Sequence, residues 1–215
     1  NSHWEKPSDM IQAAAQSYAI DKWKNQPQYV EVWVEKDALV GVIGRIAGEL
    51  DVPFFSCRGY TSQSEMWSAS QRLLRRIKEG KKVHIVHLGD HDPSGIDMSR
   101  DIKERLSVFC GEGVHVLRAA LNIQQVRRFN PPPNPAKSTD ARFKKYQAKH
   151  GDYSWELDAL NPRTLRDIVS RAVAMYRDDA IYAEDKKREE AGRRTLVLLY
   201  EKFKEVVAFL RTLTA

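Results

Sequence analysis

Apolar positions change their period repeatedly along this chain, and each change marks an element. Met10, Ile11, Ala14, Tyr18 and Trp23 fall at helical spacing and predict an amphipathic helix over 8–24, ended by Asn25-Gln26-Pro27. Tyr29 to Val34 is a run of β-branched and aromatic residues and predicts a strand that stops at Glu35. Leu39, Val42, Ile43, Ile46, Ala47 and Leu50 return to helical spacing over 37–50. Pro53 to Cys57 predicts a short buried strand, with a turn at Gly59. Met66, Ala69, Leu73, Leu74 and Ile77 predict a helix over 62–79 that Gly80 closes. Val83 to Leu88 reads as a third strand, 95–109 as a helix, and Val114 to Leu117 as a fourth strand. Strands alternating with helices predict an α/β, Rossmann-like parallel sheet of about four strands with helices on both faces. In such sheets crossovers are right-handed, and ligands bind outside the carboxyl ends of the strands.

Beyond the fourth strand the pattern changes. Asn130-Pro131-Pro132-Pro133-Asn134-Pro135 excludes helix and inner strand. Lys137, Asp140, Arg142, Lys144, Lys145 and Lys149 follow, so 130–152 reads as a long basic loop, a kind that is often functional. Trp155 to Leu160 leads into a helix opened by Asn161-Pro162. Two long helices are expected over 163–182 and 184–212. The second has Leu196, Leu199, Phe203, Val206, Val207 and Leu210 on one face, suited to core packing or a domain interface. The expected division is an N-terminal helix (1–28), a metal-binding α/β domain (29–165) and a C-terminal helical extension (166–215). The chain opens at Asn1 without Met, so 1–28 is read as the tail of an upstream domain.

Composition narrows the function classes. Hydrophobic residues make up 42% of the 215, enough for a buried core and against wholesale disorder. Lys and Arg number 35 against 29 Asp and Glu; the resulting +6 favours a polyanionic partner. Cys57 and Cys110 lack metal-ligand spacing and suit reduced thiols of a cytoplasmic protein. No apolar run approaches the roughly 20 residues of a membrane span, and no secretory signal is visible, so no membrane role is expected.

The densest chemistry lies in His87-Leu88-Gly89-Asp90-His91-Asp92-Pro93-Ser94-Gly95. Asp90 and Asp92, at i and i+2 where a strand ends, point to one side and repel unless a cation neutralises them. Glu35 ends a neighbouring strand. Three carboxylates form a hard, all-oxygen donor set suited to Mg²⁺, with Mn²⁺ able to substitute. Glu35 has two open roles, metal ligand or general acid/base. His91 and His87 are secondary ligand candidates, and His91 is also a candidate phosphate contact. Ser94 and Gly95 open a helix whose amides could hold a phosphate, with Ser94 alternatively a simple cap.

Val34-Glu35-Lys36 after one strand and Gly89-Asp90-His91-Asp92-Pro93-Ser94-Gly95 after a later one resemble a Toprim domain. That metal-binding module is shared by topoisomerases, bacterial primases and several nucleases. The nearest flavour is the A subunit of topoisomerase VI and related phage and mobile-element proteins. There the Asp-x-Asp runs into a Pro-x-Gly turn and a later Glu-x-(Glu/Asp)-Ala-Leu element, to which Glu156-Leu157-Asp158-Ala159-Leu160 is similar. The resemblance covers about 29–165. It implies a Toprim fold and Mg²⁺-dependent cleavage of DNA phosphodiesters by Glu35, Asp90 and Asp92. It adds Glu156 and Asp158 as supporting members of the acidic cluster. Lys36, Arg58, Lys137 and Arg142 become candidate phosphate contacts. Topoisomerases of this kind cleave with a tyrosine on a separate domain, for which 1–28 has room for only one helix. The nucleophile is therefore water, as in a nuclease, or a tyrosine of another domain, as in a topoisomerase. Expected partners are DNA, with RNA sharing its backbone chemistry, an upstream domain and a second copy of the chain. The alternative of a different class is a non-catalytic DNA-binding or assembly module that keeps the fold.

Overall fold

The structure is a computed structural model describing residues 3–57 and 59–213. Residues Gln26–Arg177 form one compact unit, and the described residues outside it form a second. The first unit is built on a four-stranded parallel sheet of β1 (Gln28–Val34), β2 (Phe54–Ser56), β3 (Lys82–Leu88) and β4 (Val114–Ala120), in the order β2-β1-β3-β4. The α/β, Rossmann-like reading therefore holds. Helices α2 (Val40–Glu49), α3 (Gln63–Lys78) and α4 (Pro93–Cys110) form the crossovers. Helix α3 packs on α4, while α2 packs on a later helix, α7 (Pro162–Ala174), so each face of the sheet is covered.

The central strands explain why both runs are apolar on either side rather than alternating, broken only by Glu31, His84 and His87. Both β1 and β3 are buried at every position after the first, as strands covered on both faces must be. Trp33, Met66, Leu73, Val83, Ile85, Ile102 and Leu106 form the core on one side. The strand predicted over 53–57 shrinks to three half-buried residues, because β2 is an edge strand with a partner on one side only. The register is flush at the carboxyl ends. Val34 pairs with both Ser56 and Leu88, and Leu88 with Ala120. The chain moves from β1 outward to β2, then crosses back to β3 on β1's other side. That reversal opens a crevice at the ends of β1 and β3.

The largest departure from the expected pattern is in 121–154. It is not a loop throughout. It holds α5 (Ile123–Phe129), α6 (Phe143–His150) and a two-residue antiparallel pairing of β5 (Asn134–Pro135) with β6 (Tyr153–Ser154). Helix α6 is too short and too basic to show an apolar period. It forms because Tyr146 buries against the sheet unit, a tertiary contact. The helical extension also differs. Helix α7 belongs to the sheet unit, which moves the boundary from 165 to 177.

In the second unit, α1 (Pro7–Ser17) packs on α8 (Asp179–Glu201), and α9 (Phe203–Leu213) follows. Helix α1 ends seven residues earlier than the period predicts. Residues 20–25 are instead tied to α8: the Ile20 amide and Lys22 ammonium reach Glu189 (3.0 and 2.7 Å), and the Asn25 amide reaches buried Asp185 (3.3 Å). Thus 1–28 does not form one helical segment; its described helix pairs with α8. Among the described residues no helix is long and apolar enough to cross a membrane.

Candidate metal and proton-transfer site

Glu35 leaves β1 at the crevice. Its amide donates to the Leu88 carbonyl (3.0 Å), so the end of β1 is sewn to the end of β3. The chain then passes Gly89 and turns through Asp90-His91-Asp92 into α4. Asp90 Oδ1 accepts from the Leu157 amide (2.7 Å), and His91 exchanges backbone hydrogen bonds with Trp155 (2.8 and 3.0 Å). Asp92 Oδ1 accepts from the Gly95 amide (2.6 Å), which makes Asp92 the N-cap of α4 with Pro93 behind it. Ser94 is therefore not the cap. It sits half-buried in the first turn, and one of the amides expected to hold a phosphate is already taken by Asp92.

Two glycines make room for Glu35. A Cβ on Gly89 would stand 2.6 Å from Glu35 Oε2, and one on Gly95 would stand 3.0 Å from the same oxygen. The carboxylate thus lies in a cradle that any side chain at either position would fill. The Asp90 amide approaches Oε2 at 3.3 Å. Burial pushes the Glu35 pKa up to about 7, and the charges of Asp90 and Asp92 push the same way. Burial also raises Asp90, against the Leu157 amide and the Lys36 ammonium that favour its charged form.

Beneath this turn lies Arg118, in β4, which sequence reasoning missed. Its guanidinium donates to the carbonyls of Gly95 (2.8 Å), Asp90 (2.5 Å), Gly89 (3.2 Å) and Leu121 (3.3 Å), and to Ser99 Oγ (2.8 Å). One half-buried side chain thereby fixes the backbone on both sides of the Asp-His-Asp turn. A signal existed: an arginine interrupts the apolar run Val114-His115-Val116-Leu117-Arg118-Ala119-Ala120.

The other predicted residues divide. Lys36 does not face outward for a phosphate. Its ammonium lies 2.6 Å from Glu156, 2.8 Å from Asp158 and 3.7 Å from Asp90. Burial opposes its charge, but the bonds to Asp158 and Glu156 outweigh this and raise its pKa. Glu156 and Asp158 are thus engaged by Lys36, although the fold does bring them beside Asp90. Arg142 is committed to Asp140 (2.8 Å), Asp97 (3.2 Å) and the Tyr60 hydroxyl. His91 is buried, and its Nδ1 meets the Tyr146 hydroxyl (3.0 Å). Burial lowers its pKa to about 4, aided by His150, so it is a neutral anchor and not a phosphate contact. His87 is also buried, bonded to Ser99 (2.9 Å). Lys137 is exposed and shares a cavity of about 280 Å³ with Asp90, Asp92, Asn134 and Glu156. Arg58 lies outside the described residues.

The donor set of Glu35, Asp90 and Asp92 suits a hard divalent cation: all oxygen and acidic, with burial first and the two aspartates second raising the Glu35 pKa to about 7. Among the described residues no three His, Cys, Asp or Glu side chains already stand together as a ready-made metal centre. A cation there would close a spread set of ligands. No family model matches this chain, and no curated protein matches its sequence.

Proposed function

We propose that this chain is a Toprim-type enzyme that cleaves DNA phosphodiesters with Mg²⁺, Mn²⁺ being able to replace it. The observation that carries the reading is Glu35, cradled at the β1/β3 crevice and held near a pKa of about 7 beside Asp90 and Asp92. Asp90 and Asp92 would hold the metal, with Glu35 as a third ligand or as the proton-transfer group. The chemistry Mg²⁺ supplies when bound is neutralisation of charge on the scissile phosphate and orientation of its oxygens. A carboxyl that is half protonated near neutral pH can accept a proton from an attacking oxygen or return one to a leaving oxygen. Arg118 keeps the aspartates' backbone in place while this happens. The attacking oxygen belongs to water in a nuclease or to a tyrosine of another domain in a topoisomerase-like reaction.

One observation favours a second reading. The Lys36 ammonium stands beside Asp90, Glu156 and Asp158 as a built-in counter-ion. A non-catalytic DNA-binding or assembly module would keep the fold stable in that way. Supercoiled plasmid incubated with Mg²⁺ or Mn²⁺ separates the two. The cleavage reading expects nicking or linearisation by the wild type and none by Asp90→Asn/Asp92→Asn, which keeps a capping side chain at 92 and still binds DNA. Absence of cleavage by the wild type with either metal would leave the second reading.

A further inference from the structure

Helix α6 carries the sequence Phe143-Lys144-Lys145-Tyr146-Gln147-Ala148-Lys149-His150, three lysines with no acidic residue. Lys145 and Lys149 are one turn apart, on one face of the helix, where like charges destabilise it. Both are exposed, and among the described residues neither has a carboxylate partner, in contrast to Lys36 and Arg142. They line a cavity of about 220 Å³ together with Pro93, Ile96, Arg142, Tyr146 and His150. Asp97 is its acidic member, and Arg100 (2.7 Å) and Arg142 (3.2 Å) already neutralise it. Arg100 is also paired with Glu104 and Arg142 with Asp140, so among the described residues the cavity's unmatched positive charge is that of Lys145 and Lys149.

Helix α6 is also bolted to the candidate site. Tyr146 is buried, its hydroxyl lying 2.7 Å from the Tyr153 carbonyl, 3.1 Å from the His91 carbonyl and 3.0 Å from His91 Nδ1. His91 stands between Asp90 and Asp92, and the His150 ring packs edge-on against it at 4.8 Å. The lysines therefore have a fixed relation to the two aspartates. The cavity begins at Pro93, the residue after Asp92.

We infer that Lys145 and Lys149 form a backbone-phosphate subsite that grips DNA beside the Asp90/Asp92 pair. The inference rests on the cleavage reading only in taking the anion to be a DNA phosphate. A phosphate there relieves the repulsion within α6, and its grip carries no sequence information. The test is the affinity of the full chain for a short DNA duplex, followed by anisotropy across a salt series without divalent metal. Each phosphate contact steepens the fall of log K with log salt by about 0.9. Lys145→Gln/Lys149→Gln should flatten the slope by about 2 and weaken binding at low salt by about tenfold or more. Lys145→Arg/Lys149→Arg should keep the wild-type slope, as should Lys78→Gln/Lys103→Gln, which removes equal charge elsewhere. The Gln pair should melt no lower than wild type, since it removes a repulsion. A wild-type slope in the Lys145/Lys149 Gln pair, or an equal loss in the Lys78/Lys103 control, overturns the subsite. Plasmid cleavage run in parallel separates the two ideas. Cleavage with an unchanged slope removes the subsite alone, and slope loss without wild-type cleavage supports the subsite and removes the cleavage reading.

Discussion

Strand β1 and the residue just after it carry two glutamates four residues apart, and the fold treats them oppositely. Glu31 lies mid-strand and is fully buried. Arg72 grips both its oxygens (2.7 and 2.8 Å), the Tyr29 hydroxyl donates to one (2.8 Å) and the Trp33 indole to the other (2.9 Å). Its charge is matched by a guanidinium and its lone pairs are filled. Glu35 lies just past the strand's end, where burial, and after it the charges of Asp90 and Asp92, raise its pKa to about 7. One glutamate is a structural ion pair. The other is left with a like-charge conflict that a folded protein keeps at a place where chemistry can use it. The difference is one of position. Mid-strand side chains meet the helices, and a side chain at a carboxyl end meets the crevice.

The largest effect should fall on the structural glutamate. Arg72→Ala leaves Glu31 buried without its cation and is expected to lower unfolding free energy by about 3–5 kcal/mol in chemical denaturation, toward the lower figure because Arg72 is itself partly solvated. A loss below about 1 kcal/mol would mean that the Arg72–Glu31 pair contributes no more than a surface ion pair.

Next in size is the pH dependence of Glu35. A carboxyl whose folded pKa is raised binds its proton more tightly in the native state. Its contribution to stability is full below its ordinary pKa and is lost as pH rises through about 7. Wild-type stability should therefore fall by about 2–3 kcal/mol from this group between pH 4.5 and pH 8, and Glu35→Gln should flatten that part of the curve. Parallel curves for the two proteins would mean the carboxyl is not held near neutrality.

Mg²⁺ should act on one end of the strand only. At about ten times its dissociation constant it is expected to stabilise the wild type by about 1.4 kcal/mol, read as a thermal shift that EDTA reverses. The shift should persist in Arg72→Ala and vanish in Asp90→Asn/Asp92→Asn. The smallest expected effect is Asp92→Asn alone without metal. Asn caps a helix about as well as Asp, so stability should change by only a few tenths of a kcal/mol.

The sequence by itself determined the sheet, because a strand covered on both faces is apolar at most positions on either side, and β1 and β3 are written that way apart from Glu31, His84 and His87. It also exposed Glu35, Asp90 and Asp92, since carboxylates that close apolar runs can lie only at the carboxyl ends of parallel strands. Tertiary structure decided what surrounds them. Lys36 looked free because its partners, Glu156 and Asp158, are distant in sequence; Arg142 has Asp140 two residues away, but its tie to Asp97 also comes only with the fold. His91 became an anchor through Tyr146, 55 residues away. Helix α6 and the cradle at Gly89 and Gly95 left no periodic trace, because an eight-residue helix and an empty Cβ position owe their form to what packs against them. Local pattern follows backbone period and burial. Pairing of charges follows long-range contacts, which only the folded chain brings together.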